Sequence, residues 1–379
     1  MTTWILRCSH CSHEEPRTAR VGTCPTCGQP FLAEITSTPT RESLRPRWDL
    51  WRYADALPLL EEEAPVSLGE GITPLIELPH LAKEVGVRRL WVKDEAVNPT
   101  ASFKARGLSA AVTRARGHGV PGLVVPTAGN AGAALAAYGA AAGIPVRVYA
   151  PATTPAPILH TIRAVGADLQ LVDGHIGDAG KAANAFAASD GYFNVATLRE
   201  PYRAEGNKSL GYELAEQLEW RLPDVVVYPT GGGEGVIGMW KAFAEMVRWG
   251  WLPKDTKFPR VVVAQADGCA PLVRAFRAGA DSATPWENPA THAAGLRVPG
   301  PLGDRLVLRA LRESRGEADS ASEDDIRRDT LCLASSSGID AAPEGGCALA
   351  VTRKLVGSGR LDRDAEVVIY NTGSGASYR

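Results

Sequence analysis

Six short apolar runs constrain this chain more than any other feature. Leu90-Trp91-Val92, Leu123-Val124-Val125, Val146-Arg147-Val148-Tyr149, Val225-Val226-Val227-Tyr228, Val261-Val262-Val263 and Val367-Val368-Ile369-Tyr370 are rich in β-branched and aromatic residues and read as buried strands. Most are followed by a glycine or asparagine turn and then a helical stretch. That alternation predicts an α/β fold, parallel sheet covered by helices on both faces, with ligands at the carboxyl ends of the strands. With 379 residues, 45% hydrophobic and 22% charged, the chain is long enough for two or three domains and a large core. The turns that follow the strands are therefore where function is to be sought.

Charge narrows the partners. Lysine and arginine number 41 against 43 acidic residues, net −2, so nothing draws the chain to nucleic acid or an anionic membrane, and any anion site must be local. No apolar run approaches the roughly 18 residues of a membrane span. The N-terminus, with Arg7, Cys8 and His10 so early, lacks a signal-peptide core, and a cytoplasmic location is expected.

Four of the seven cysteines form two C-x-x-C pairs, Cys8 with Cys11 and Cys24 with Cys27. Each pair makes a knuckle presenting two thiolates to one metal, and two knuckles close a tetrahedral site, so a structural Zn2+ on a zinc ribbon over residues 1–34 is expected. A segment this short cannot bury a core, and a metal would supply its folding energy. Cys269, Cys332 and Cys347 read as small buried hydrophobes. Residues 36–68, with Pro39, Pro46, Pro58 and Pro65 around Trp48, Trp51 and Tyr53, read as an extended arm anchored by aromatics.

Four turns carry chemistry. Asn98-Pro99-Thr100-Ala101-Ser102-Phe103-Lys104 places a lysine at a helix start, with Ser102 as the expected N-cap. An ammonium there opposes the positive end of the helix dipole, which favours the free amine, a nucleophile able to form a Schiff base with a carbonyl. The turn Thr230-Gly231-Gly232-Gly233-Glu234-Gly235 follows a strand and opens a helix, suiting a phosphate on converging backbone N–H groups. Gly233 to Gly238 also satisfies G-x-G-x-x-G, with Asp267 as a candidate ribose ligand, so an NAD-binding oxidoreductase is a rival. Asn130, after Thr127-Ala128-Gly129, can donate to a phenolate-like oxygen or cap its helix, and Thr372 or Ser374 can meet a pyridine nitrogen. Glu200 to Ser209 concentrates basic and amide groups, suiting a substrate carboxylate or phosphate, or simply a solvated helix start.

Taken in order, these turns resemble the fold-type II pyridoxal-phosphate enzymes (tryptophan synthase β-like), most closely the threonine synthase family. Further carriers are Gly69-Glu70-Gly71-Ile72-Thr73-Pro74-Leu75, Lys93-Asp94-Glu95 and Asn371 to Gly375. The resemblance implies two open parallel-sheet subdomains behind the ribbon, a large one of residues 35–104 and 199–379 and a small one of 105–198. It implies that Lys104 is catalytic and holds pyridoxal 5'-phosphate covalently. Asn130 would contact the ring hydroxyl, Gly231, Gly232, Gly233 and Gly235 would cradle the phosphate, and Thr372 would face the pyridine nitrogen. Arg203 would bind the substrate's phosphate, with Thr127 and Lys208 also on the substrate side. The implied reaction converts O-phosphohomoserine and water to L-threonine and phosphate, in a homodimer. A pyridoxal-phosphate-dependent ammonia-lyase or dehydratase acting on threonine, serine or a diamino acid is the alternative. Departures from the family pattern are Ala101 for a glycine in the lysine motif, Ala128 for a hydroxyl residue, and Glu234 beside the phosphate loop.

Overall fold

The computed structural model describes residues 2–379 and arranges them around three sheets. The first is small and antiparallel, with β1 (Trp4–Cys8) between β2 (Glu14–Pro16) and β3 (Phe31–Ile35). Three short strands bury too little apolar surface to stand alone. Accordingly Trp4, Leu6, Phe31, Ala33 and Ile35 turn inward and join the core of the large body. Lys241 Nζ donates to the Ala33 carbonyl at 2.5 Å, Arg248 to that of Ile35 at 3.0 Å, and the Ala33 N–H donates to Glu205 at 3.1 Å.

The remaining strands build two larger sheets, and all six runs expected as strands lie in them. Strands β4 (Leu75–Glu77) and β5 (Arg89–Asp94) belong to a six-stranded sheet. The chain then leaves to form a separate four-stranded sheet from β6 (Leu123–Pro126), β7 (Val146–Pro151), β8 (Asp168–Val172) and β9 (Phe193–Asn194), parallel throughout in the order β8-β7-β6-β9. It returns with β10 (Val225–Pro229), β11 (Arg260–Ala266), β12 (Glu317–Ala321) and β13 (Glu366–Asn371). The large sheet is ordered β12-β11-β10-β13-β5-β4, and only β4 runs antiparallel to its neighbour. Strand order reverses between β10 and β13, which opens a crevice beyond their carboxyl ends, the usual ligand position in open parallel sheets.

The arm before β4 differs from the extended segment expected. Leu50–Ala56 forms a short 3-10 helix that buries Trp51 and Tyr53, and Trp51 Nε1 donates to Ser109 Oγ at 2.9 Å. Trp48, expected as an anchor, is 86% exposed. Among the described residues no helix is long and apolar enough to cross a membrane.

Candidate active site

Lys104 is the first residue of the helix Lys104–Gly117. Ser102 does not cap it: Phe103 precedes the helix without a side-chain cap, and Ser102 Oγ is buried with no protein partner. The start is held instead by the turn after β13, where the Phe103 N–H donates to the Thr372 carbonyl at 3.1 Å and the Ser374 N–H to that of Ala101 at 3.0 Å. Thr100 and Ala101 have φ of +62° and +55°. Side chains in this left-handed region cost roughly 1–2 kcal/mol per residue, so the cross-links to β13 retain a strained approach to the lysine.

The Lys104 side chain, one-fifth exposed (20%), opens into a cavity of about 280 Å³ at the end of β10 and β13. Its ammonium pairs with Glu234, the first residue of the helix Glu234–Arg248, and the same carboxylate oxygen accepts from Arg203 Nη2 at 2.7 Å. Burial drives the Lys104 pKa down; Glu234 opposes this and Arg203 adds to it, leaving the group below the usual lysine range. Burial alone would raise the Glu234 carboxyl, but Arg203 and Lys104 outweigh it and hold the group ionised below the usual carboxylate range.

The turns expected to share a ligand do converge on this cavity. Asn130, Gly231, Gly232, Gly233, Gly235 and Thr372 all line it. Gly233 has φ +88°, a turn that a side chain would strain and that swings the chain from β10 into its helix. Asn130 is the first residue of the helix Asn130–Ala142, with Gly129 in the capping position expected as one of its roles. A methyl group placed on Gly373 would sit 3.2 Å from Asn130 Nδ2, so the ends of β6 and β13 meet beside Lys104.

Of the three residues expected on the substrate side, two lie off the cavity wall and one lies on it. Arg203 is 1% exposed and does not line the cavity; it stands behind Glu234, with Nη1 donating to the Val195 carbonyl at 2.8 Å. Lys208 is fully buried and bound to the Ala56 carbonyl at 2.8 Å and to Glu205 and Glu245, each at 2.9 Å, a structural ion cluster away from the cavity. Thr127 lines the cavity, but its hydroxyl donates to the Gly129 carbonyl and accepts from the N–H groups of Gly129 and Gly132, which fixes its own turn. Asp267, the candidate ribose ligand, lies in a separate depression with Arg274 and Trp286.

Sequence reasoning missed Glu344 and the two cavity arginines, Arg199 and Arg297. Glu344 Oε1 accepts from the Gly295 N–H and the Tyr378 hydroxyl, both at 2.7 Å, while Oε2 is buried and unpartnered. Burial raises its pKa, although those two donors pull the other way. Pro343 before it was the visible signal, and it marks only a helix start.

The four N-terminal cysteines also converge. Their Sγ atoms lie within 4.8 Å of one another and none forms a disulfide, a donor set compatible with one metal ion.

The fold and this cavity define a class: the chain belongs to the pyridoxal-phosphate dependent enzyme family, whose model matches residues 66–373. It is a pyridoxal-phosphate-dependent lyase similar to threonine synthases. The threonine synthase of Methanosarcina acetivorans is 35% identical over 97% of this chain and 91% of its own length. That of Methanocaldococcus jannaschii is 35% identical over 90% of this chain and 84% of its own. Among solved structures, maize serine racemase matches the fold with a TM-score of 0.69 at 20% identity, covering 80% of this chain and 88% of that one. The family match leaves the G-x-G-x-x-G run as part of a pyridoxal-phosphate enzyme's loop, and the nicotinamide reading falls away.

Proposed function

We propose that this enzyme converts O-phosphohomoserine and water to L-threonine and phosphate. The observation that carries the reading is a lysine of lowered pKa, opening on a cavity whose other walls are a glycine loop and a strand-end threonine, in a chain whose curated relatives are threonine synthases nearly end to end. The cavity walls fit pyridoxal phosphate. Backbone N–H groups of Gly231 to Gly235 gather at the start of a long helix, where a phosphate is stabilised. Tyr228, buried on the same wall, has a hydroxyl without a protein partner. Two carboxyl groups on the wall have the wrong sign: Arg203 and Lys104 neutralise Glu234, and burial pushes Glu344 toward its neutral form.

Lys104 would hold the cofactor, Asn130 its ring hydroxyl, the glycine loop its phosphate and Thr372 its pyridine nitrogen. When bound, the cofactor supplies an electron sink for negative charge on substrate carbon. A hydroxyl rather than a carboxylate at the pyridine nitrogen leaves that sink weaker, which suits elimination and replacement. Lys104 would take protons from Cα and Cβ as phosphate leaves Cγ, and return protons to Cγ and Cα as water gives its hydroxyl to Cβ and its remaining proton to the phosphate. Burial brings the amine below the ordinary lysine range, the direction that favours a general base. Residues 105–198 would form the small subdomain across the cavity from the rest, and the active unit would be a cytoplasmic homodimer.

Offered O-phosphohomoserine, threonine, serine and diaminopropionate in parallel, the enzyme should release phosphate and threonine from the first. Ammonia and a keto acid from the others, without phosphate release, would move the assignment to a deaminating lyase. The cysteine cluster is assigned Zn2+ on its four-thiolate donor set: elemental analysis should find an equivalent of zinc, lost in Cys24→Ser. Zinc retained in that variant would count against these ligands.

A further inference from the structure

With Arg203, expected to receive the substrate's phosphate, closed off behind Glu234, and Lys208, expected on the substrate side, buried elsewhere, neither basic residue lines the cavity. Two other cations do. Arg297, half-buried, and Arg199, exposed, line it, and among the described residues neither guanidinium has a carboxylate or hydrogen-bond partner.

Their segments flank the glycine loop from both sides. A methyl group on Gly231 would lie 2.1 Å from the Gly295 carbonyl oxygen, so the backbone two residues before Arg297 presses directly on that loop. A methyl on Gly232 would lie 2.9 Å from Thr197, two residues before Arg199. The segments also meet each other, since a methyl on Gly303 would lie 2.5 Å from Leu198 and 3.1 Å from the Gly232 carbonyl oxygen. The Arg297 segment is held in place, because the Gly295 N–H donates to Glu344, itself held by Tyr378. Neither carboxylate of the cavity cancels these cations: Glu234 is spent on Lys104 and Arg203, and Glu344 is pushed by burial toward its neutral form.

We propose that Arg297, with Arg199 opposite, holds the phosphate dianion of the substrate. The inference rests on the reaction proposed above, which requires such an anion. A guanidinium meets a phosphate through paired N–H donors, a match that lysine reproduces only in part. The same chemistry could serve the cofactor's phosphate, and the test separates the two.

Inorganic phosphate is titrated calorimetrically into the cofactor-loaded protein, cofactor affinity is measured by visible absorbance, and KM is measured for O-phosphohomoserine. Arg297→Ala should weaken phosphate binding about ten- to a hundredfold, the worth of a charged hydrogen-bonded contact, with the kinetic loss falling mainly on KM and cofactor affinity kept. Arg297→Lys should recover part, and Arg199→Ala should show a smaller loss. Unchanged phosphate binding, no phosphate binding by wild type, or cofactor affinity falling in step would each overturn the assignment. If wild type binds phosphate through Arg297 but releases none from O-phosphohomoserine, the proposed reaction fails and the anion site stands. Equal KM in wild type and Arg297→Ala, with turnover intact, sinks the anion site alone.

Discussion

Two lysines, eleven residues apart, each pair with a buried glutamate, and they differ in how fully they are satisfied. Lys93 is 0% exposed and donates to Glu213 and the Thr73 carbonyl at 2.5 and 2.6 Å and to Gln217 at 2.8 Å. Its glutamate is also saturated: Glu213 accepts from Arg106 at 2.7 Å and from the N–H groups of Ile72 and Thr73 at 2.8 and 2.6 Å. Burial would raise the Glu213 pKa, but Arg106 and Lys93 outweigh it and bring it to about 2. Lys104 has one protein acceptor, a cavity beside it, and a glutamate whose second oxygen is unpartnered. Saturation fixes a backbone, whereas a half-satisfied pair leaves bonding capacity for something that enters. The amino-acid types are the same; the count of partners separates structure from chemistry.

Removing each lysine should break the comparison in opposite ways. Lys104→Ala is expected to have the largest effect on function, a loss of about 10²–10⁴ from proton transfer alone, with little change in the denaturation midpoint. Lys93→Met leaves Glu213 short of a partner in the core and should cost about 3–5 kcal/mol of stability, read as a lowered urea midpoint. Any turnover it retains should keep the wild-type KM. A Lys104→Ala protein that unfolds as readily as Lys93→Met would erase the distinction.

How much of this could be read from the chain follows the same division. Strands β10 and β13 were legible because both their faces are buried, so they are written as unbroken apolar runs. Strand β12, Glu317-Ala318-Asp319-Ser320-Ala321, was not, because it is an edge strand stabilised through Asp319, which binds Arg277, Lys354 and Arg360 from other elements. Lys104, Asn130 and Thr372 were legible as turn residues after strands, since the fold gathers such turns by rule. The partner of Arg203, Glu234, lies more than thirty residues away in the chain, and for Lys208 the local Glu205 was visible but not the burial that Glu245 and the Ala56 carbonyl complete. Arg297 was invisible for the converse reason: it follows a single short turn, Ala294–Leu296, and its neighbours Gly295 and Val298, packed against Gly231, bring it to the cavity.

The smallest expected effect concerns Glu234 and sharpens the contrast most directly. Glu234→Gln keeps an acceptor for Lys104 while removing its charge. Burial and Arg203 then act on the ammonium with only the weaker pull of Glu344 against them, so its pKa should fall further. The free amine would accordingly persist to lower pH. Phosphate-free pyridoxal is the suitable probe, because removing a carboxylate beside the glycine loop would also change the binding of any phosphate and confuse the result. Its attachment to Lys104, followed by absorbance against pH with Lys104→Ala as the blank, should have its acid limb displaced downward in Glu234→Gln. An upward shift would contradict the assigned electrostatics, and an unmoved limb would mean that Glu234 does not hold the lysine in solution. At Lys93 the analogous Glu213→Gln should behave differently, its cost appearing as lost stability at neutral pH. That glutamate contributes stability above the unfolded carboxyl's pKa of about 4.5, and the contribution fades as pH falls toward its folded value of about 2.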